Sequence, residues 1–440
     1  MRLSSRLFAV ASLLLPLTMH SESHSGIPIA SAAPAKFSFG QRAHKGFTHV
    51  DPKGPYDSVR GYGFMQAPTL RQDRSSVCAD APFFFSVDVP EGNYDLTLRL
   101  GDKRDDSSIA VKAEARRLLI EPLQIHHGKF VTRRFTLNVR YKELANGRVV
   151  HLKNDEKNDL DWDHRLTLEF NGAHPCVNEL EVQKSNHAIT VYLAGDSTVT
   201  DQRREPWAAW GQMLPRFFRP GVAIANHAES GESLKSFIGE ERLAKVLDTI
   251  KAGDYLFIQF AHNDQKPGPA HVDAFTTYKE YLLRYINAAR EKRAIPVLVT
   301  SMLRRRFDAN GRIINTLEDY PEAMRQLAQE QKVTLIDLNA MSKTLFETLG
   351  PEGTLKAFVH YPTHTFRGQD QELSDDTHFN SYGAYELARC VVQAIRDSNL
   401  ELKSYLEPDL RRFDPAHTDP VQKWKLPISP VLLMEKPEGN

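Results

Sequence analysis

Five short apolar runs recur in the second half of the chain: ITVYLAG (189–195), VAIANHA (222–228), DYLFIQFA (254–261), IPVLVTS (295–301) and VTLIDL (333–338). Each is apolar along most of its length rather than alternating. That is the pattern of a strand covered on both faces, and so of a parallel sheet. Helical periodicity fills the intervals, in WAAWGQMLPRFF, RLAKVLDTIKAG, YKEYLLRYINAAREK and YPEAMRQLAQEQ, and SYGAYELARCVVQAIRDSN follows. This alternation predicts a three-layer α/β/α domain over residues 188–400, with the Pro- and charge-rich 401–440 as a surface extension.

Residues 36–184 read differently. FFFSVDVPEGNYDLTLRLGD (83–102) holds two alternating segments around Pro90-Glu91-Gly92-Asn93, a hairpin signature. KFVTRRFTLNVR (129–140), RVVHLK (148–153), RLTLEFNG (165–172) and CVNELEVQK (176–184) continue the strand pattern and predict a β-sandwich. Ahead of it, MRLSSR is basic and LFAVASLLLPL (7–17) is apolar but too short to span a bilayer, with small residues further on in IASAAPA. Residues 1–33 are therefore expected to be a signal peptide, its cleavage site left open, and the product to be secreted or periplasmic.

Lys+Arg and Asp+Glu both number 56, so net charge gives no case for nucleic acid or an anionic membrane. Arg304-Arg305-Arg306 is expected in a solvated loop. The three cysteines cannot form a disulfide scaffold. A Cys78–Cys176 bond is open to them in an oxidising compartment, and Cys390 falls in the apolar pattern of the last helix. No cysteine pair has zinc-site spacing.

Four polar segments fall at predicted strand ends or before helices, where open α/β sheets bind ligands. They are Gly195-Asp196-Ser197-Thr198, Asn226-His227-Ala228-Glu229-Ser230-Gly231, Ala261-His262-Asn263-Asp264 and Asp375-Asp376-Thr377-His378. Together they hold the parts of a serine hydrolase. Ser197 is the candidate nucleophile, His378 its base, and Asp375 the acid that orients the imidazole, placed three residues away as on a helical turn. The backbone N–H of Ser197 and of Gly231 and the Asn263 amide are candidate oxyanion donors. Asp196 and His262 are expected in supporting roles, Asp376 competes with Asp375, and His227 is expected to be structural. Trp207 and Trp210, three apart, are expected to pack in the core. His360, His364 and Arg367 lie in the loop VHYPTHTFRGQD (359–370) and are candidate substrate contacts.

The four blocks, in this order, resemble the SGNH (GDSL) hydrolase superfamily. GDSTVT, NHAESGESLKSF, QFAHNDQK and DDTHFNSYGA resemble its rhamnogalacturonan acetylesterase branch. The resemblance covers about 188–398. It implies a flavodoxin-like sheet, no metal or cofactor, and the removal of acetyl groups from pectic polysaccharide, most directly rhamnogalacturonan. Ala261 stands where the family usually has glycine, and its methyl is expected to narrow the pocket or shift the strand end. An α/β-hydrolase elbow is disfavoured, because Gly-x-Ser-x-Gly fails at Val199. By pattern alone, 36–184 resembles galactose-binding-like sandwiches, which leaves a structural calcium or a bound glycan open there. The implied partner is an acetylated plant cell-wall polysaccharide or oligosaccharide, with no nucleic acid and no membrane after signal removal. Oligomeric state is left open. The rival readings are an esterase of xylan, another glycan or a lipid ester, and a carbohydrate-binding protein with an idle hydrolase domain.

Overall fold

The computed structural model describes residues 34–65, 69–430 and 437. The expected signal peptide (1–33) lies outside the described residues. Among those described, no helix is long and apolar enough to cross a membrane.

The five apolar runs form one all-parallel sheet. Its spatial order is Val222–Asn226, Ile189–Gly195, Tyr255–Gln259, Ile295–Val299, Thr334–Ile336. In chain order this is 2-1-3-4-5, the flavodoxin-like arrangement, with a topological switch between the first and third strands. Successive residues of one strand feed opposite cores. Val191 and Leu193 pack with Trp210, Phe346 and Leu387, whereas Tyr192 and Ala194 pack with Phe237, Tyr285 and Met324. Burial on both faces is why these strands are apolar throughout.

The helices Arg242–Thr249, Lys279–Glu291, Tyr320–Gln331 and Ser381–Asp397 fall within the predicted helical stretches. WAAWGQMLPRFF is helical only over Trp210–Met213 and then tightens into a 3-10 turn, Leu214–Phe217. Pro215 has no N–H to continue the α-helical ladder. Leu338–Thr354 is helical on either side of a break at Gly350 (φ +68°); it completes the layers and had no counterpart among the sequence expectations.

The first half of the described chain forms two facing sheets. One has seven strands, built around Gly92–Leu100 between Val131–Val139 and Cys176–Lys184. The other orders Tyr62–Phe64, Phe83–Asp88, Arg165–Asn171, Ser107–Ala113 and Arg117–Ile125. Phe37, Phe85, Leu98, Leu168 and Val182 fill the space between them. Two expectations are corrected. Phe83–Asp88 and Gly92–Leu100 are not a hairpin, because the chain crosses between the sheets at Gly92 (φ +143°), so each strand buries its apolar face from the opposite side. Residues 148–153 form no strand. His151 N–H instead donates to the Glu240 carbonyl of the hydrolase half, in an excursion that leaves the sandwich.

Cys78 and Cys176 face each other on paired strands and form a disulfide, and Cys390 is a buried free thiol. Among the described residues, the only grouping of potential metal ligands is Cys78, Asp102, His174 and Cys176. Its two sulfurs are bonded to each other, which leaves one carboxylate and one imidazole. Calcium takes six to eight oxygen ligands, so this grouping does not fit it.

Candidate active site

Gly195 ends the first parallel strand, and the chain must turn sharply there. A Cβ at Gly195 would lie 2.6 Å from the Val199 side chain and 3.0 Å from the Gln259 carbonyl oxygen. Buried Asp196 closes the turn, its Oδ1 accepting from the Thr198 N–H (2.9 Å) and hydroxyl (2.6 Å). Burial raises the Asp196 carboxyl above its ordinary value, against the pull of those bonds. Gln259 Nε2 donates to Thr198 Oγ1 (2.8 Å), and the Trp210 indole donates to Gln259 Oε1 (2.9 Å). Trp210 is thus core, as expected, and also the first link of a chain that holds the Ser197 turn. Gln202 Nε2 adds a bond to the Ser197 carbonyl (2.8 Å).

Ser197 Oγ lies 2.8 Å from His378 Nε2, and His378 Nδ1 lies 2.8 Å from Asp375 Oδ2. A carboxylate can only accept, so Nδ1 carries the proton and Nε2 is left to accept from the serine hydroxyl. All three residues are at most 2% exposed. Asp375 and His378 do not sit on a helical turn, as the spacing suggested. They lie in the strand Leu373–Phe379, whose pairing with Phe358–Tyr361 jumps from Asp375↔Val359 to Phe379↔Phe358. The residues between bulge out, and Asp375 Oδ1 accepts from the N–H of Thr377 (2.9 Å) and of His378 (3.0 Å). The bulge brings i and i+3 together as a helix would. Burial alone would raise the Asp375 carboxyl, but the hydrogen bond and charge of His378 and the two N–H donors hold it well below the usual carboxylate range.

Trp207 has a function that its spacing did not reveal. Its indole N–H donates to Asp375 Oδ2 (3.1 Å), making it a second anchor for the acid. Asp376, the competing carboxylate, faces away from this set. It pairs with Arg305 (3.1 Å) and with His360 Nε2 (3.0 Å).

Gly231 has φ +81°, in the left-handed region that favours glycine, and follows the second parallel strand. Asn263 follows the third, and its Nδ2 donates to the carbonyl of Glu232, the neighbour of Gly231 (2.8 Å). The amide has a second N–H. Asp264 ties the same two loops, its Oδ1 accepting from Leu234 N–H (2.9 Å), and burial pushes its carboxyl up to about 7. His262 is buried, and burial with the nearby Arg304 charge holds its imidazole well below the ordinary value. His227 packs edge-on against Trp162, in line with a structural role. Ala261 belongs to the apolar cluster with Phe260 and Leu298, so its methyl is absorbed by the core.

Arg304 is not a solvated loop residue. It is half-buried, donates to the His262 carbonyl (3.3 Å) and Thr316 Oγ1 (3.3 Å), and has no salt-bridging carboxylate among the described residues. His360 is engaged by Asp376 within the strand pair. His364 and Arg367 stand exposed on the segment that follows, outside the hydrogen-bonded set.

Residues 193–384 match the model of the GDSL-like lipase/acylhydrolase family. The chain is 45% identical over 220 residues to rhamnogalacturonan acetylesterase RhgT of Bacillus subtilis, a match covering 50% of this chain and 94% of the relative. It is 38% identical over 222 residues to the probable rhamnogalacturonan acetylesterase YesY of the same organism, covering 50% and 96%. An uncharacterized esterase, YxiM, also from B. subtilis, is 28% identical over 393 residues, covering 84% of this chain and 94% of that one. The chain belongs to the GDSL-like lipase/acylhydrolase family. It is an esterase of that family, with a β-rich region in front of the hydrolase fold.

Proposed function

We propose that this protein is an exported carbohydrate O-acetylesterase that deacetylates a pectic polysaccharide, most directly rhamnogalacturonan. The observation that carries the reading is the continuous line Ser197–His378–Asp375 at the edge of a sheet whose family includes rhamnogalacturonan acetylesterases. His378 Nε2 takes the Ser197 proton as Oγ attacks the acetyl carbonyl. The oxyanion is received by the N–H groups of Ser197 and Gly231 and the free amide N–H of Asn263. His378 then gives its proton to the departing sugar oxygen, which leaves as a hydroxyl, and an acetyl-enzyme remains. Water, deprotonated by His378, releases acetate and restores Ser197.

Catalysis is assigned to residues 188–400 and a supporting role to 36–184. Asp196 and His262 shape the site from behind. Arg304, half-buried without a carboxylate partner, supplies a cation for the uronate carboxylates of a pectic chain, and His364 and Arg367 are the more exposed contacts. Export is supported by the basic-apolar-small pattern of residues 1–33 and by a disulfide suited to an oxidising compartment.

The test is acetate release from acetylated rhamnogalacturonan and from acetylated xylan in parallel. The expected outcome is a higher kcat/KM on the pectic substrate, and a loss on the order of 10⁵- to 10⁶-fold in kcat for Ser197→Ala with the fold intact. An active Ser197→Ala would overturn the mechanism. Preference for xylan would overturn the substrate.

A further inference from the structure

The loop that carries Gly231 is not held by the hydrolase half alone. Residues 140–164 leave the sandwich and lay a row of charges against it. Lys153 Nζ donates to the Ser230 carbonyl and lies 3.2 Å from the Glu232 carboxylate, so one ammonium grips the residues on both sides of Gly231. Glu232 is fully buried. Its carboxylate also takes the Ser236 hydroxyl (2.6 Å), and its carbonyl takes Asn263 Nδ2 (2.8 Å). On one flank Arg203 pairs with Glu229 and lies 3.0 Å from both Asp155 and Asp159. On the other, Arg242 pairs with Glu156 and reaches Glu240 (3.0 Å).

Four carboxylates, Glu156, Asp159, Glu229 and Glu232, therefore crowd around the Gly231 loop, largely withdrawn from water. Three cations face them, and two belong to the hydrolase half. Buried charge is tolerated only when paired. Burial raises the Glu232 carboxyl above its ordinary value, and the charges of Arg242 and Lys153 draw it back down, so both cations favour the carboxylate form.

We propose that Lys153 is a positioning residue for catalysis: by holding the Ser230 carbonyl and the Glu232 carboxylate together, it fixes the Gly231 peptide so that its N–H meets the oxyanion formed at Ser197. The proposal rests on the reading of Gly231 as an oxyanion donor. It gives the N-terminal half a role in the chemical step that needs no glycan binding. The relatives matched over only half of this chain are 94–96% covered by that match, so they leave little room for such a half. A donor displaced by a fraction of an ångström stabilises the transition state less while leaving substrate binding alone.

The experiment uses the full chain, with Lys153→Met, Lys153→Arg and Ser197→Ala assayed on 4-nitrophenyl acetate. This ester is too small to reach a distant polysaccharide site. Lys153→Met is expected to lower kcat about 10- to 100-fold with KM within twofold. Its inhibition constant for phenylboronic acid, which binds as a tetrahedral adduct, should rise in parallel. Lys153→Arg is expected to retain at least a third of kcat. If Lys153→Met does not fold, Lys153→Gln is judged by the same thresholds. A folded neutral variant with kcat within twofold of the parent overturns the proposal, as does an equal loss in Lys153→Arg or a loss confined to KM. If Ser197→Ala is inactive while the Lys153 variants are unaffected, only this inference fails. If Ser197→Ala is active, the underlying reading fails with it.

Discussion

Asp375 must stay charged inside the protein, and its surroundings are built for that. His378 Nδ1, two backbone N–H groups and the Trp207 indole all point at one carboxylate. Its folded pKa is depressed relative to about 3.9 in the unfolded chain. Between those values the unfolded state binds the extra proton, so this stabilisation is fully present above about pH 4 and lost as pH falls toward the folded value. Asp375→Asn should therefore differ from the parent in urea midpoint at pH 6, with the gap closing below about pH 4. In activity it should lose roughly 10³- to 10⁴-fold in kcat, because an amide no longer fixes the imidazole tautomer. Trp207→Phe keeps an aromatic ring, though a smaller one, and deletes one donor to an ion, worth about 1.5–3 kcal/mol. The expected result is about a tenfold fall in kcat with a lowered Tm, and an unchanged kcat would reduce Trp207 to packing. Helical spacing from Trp210 led to the expectation that Trp207 packs in the core; it is buried, but it lies ahead of that helix and packs with Val359 and Leu373. The sequence did not show the acceptor, because an indole N–H in a core needs a partner and only the fold brings Asp375 there.

At the scale of elements, His378 depends on how a bulged strand joins the final helix. Asn380 makes the joint. Its Oδ1 caps the helix by accepting from the N–H of Tyr382 and Gly383, and its Nδ2 donates to the carbonyls of Lys356 and Phe358. Asn380→Ala should cost about 2 kcal/mol, from the lost cap and two stranded carbonyls, with a smaller loss in kcat. Denaturant unfolding read beside acetate release checks both, and a loss below about 0.5 kcal/mol would remove the joint from the account. The parallel strands were legible because burial on both faces leaves an apolar run that solvent cannot interrupt. The Asp375/His378 pair was legible as a spacing but not as a conformation, since a bulge and a helical turn both bring residues three apart together. Ser107–Ala113 and Arg117–Ile125 escaped notice for another reason. They carry Lys112 and Arg117, fully buried charges that mimic the alternation-breaking residues of loops until their partners are known.

Some of those partners lie across the seam of the molecule, Asp201 for Arg117 and Glu205 for Lys112. Arg117 comes from the sandwich. Its Nε donates to Asp201 in the Ser197 loop (2.6 Å), its Nη2 to Asp161 (2.6 Å) and its Nη1 to the Asn138 carbonyl (2.8 Å). Asp201 also takes Asn226 Nδ2 (2.8 Å), at the end of the second parallel strand. Next to Arg117, Leu118 packs in the hydrolase core with Trp210 and Met213. The C-terminal extension closes the circuit. Leu402, Leu406 and Phe413 join that core, and Ser429 reaches the sandwich residues Lys112 (2.6 Å) and Glu169 (2.8 Å). The two halves thus share apolar packing and buried charge, and they should unfold as one unit. Calorimetry of the full chain is expected to show a single transition. Arg117→Ala should lower its stability by about 3–5 kcal/mol, because Asp161 and Asp201 are left buried with fewer partners. Activity should fall with it, since Asp201 lies four residues beyond Ser197. Two resolved transitions, with Arg117→Ala shifting only the one that belongs to the sandwich, would mean that the seam carries no coupling and that the hydrolase half holds its Ser197 loop unaided.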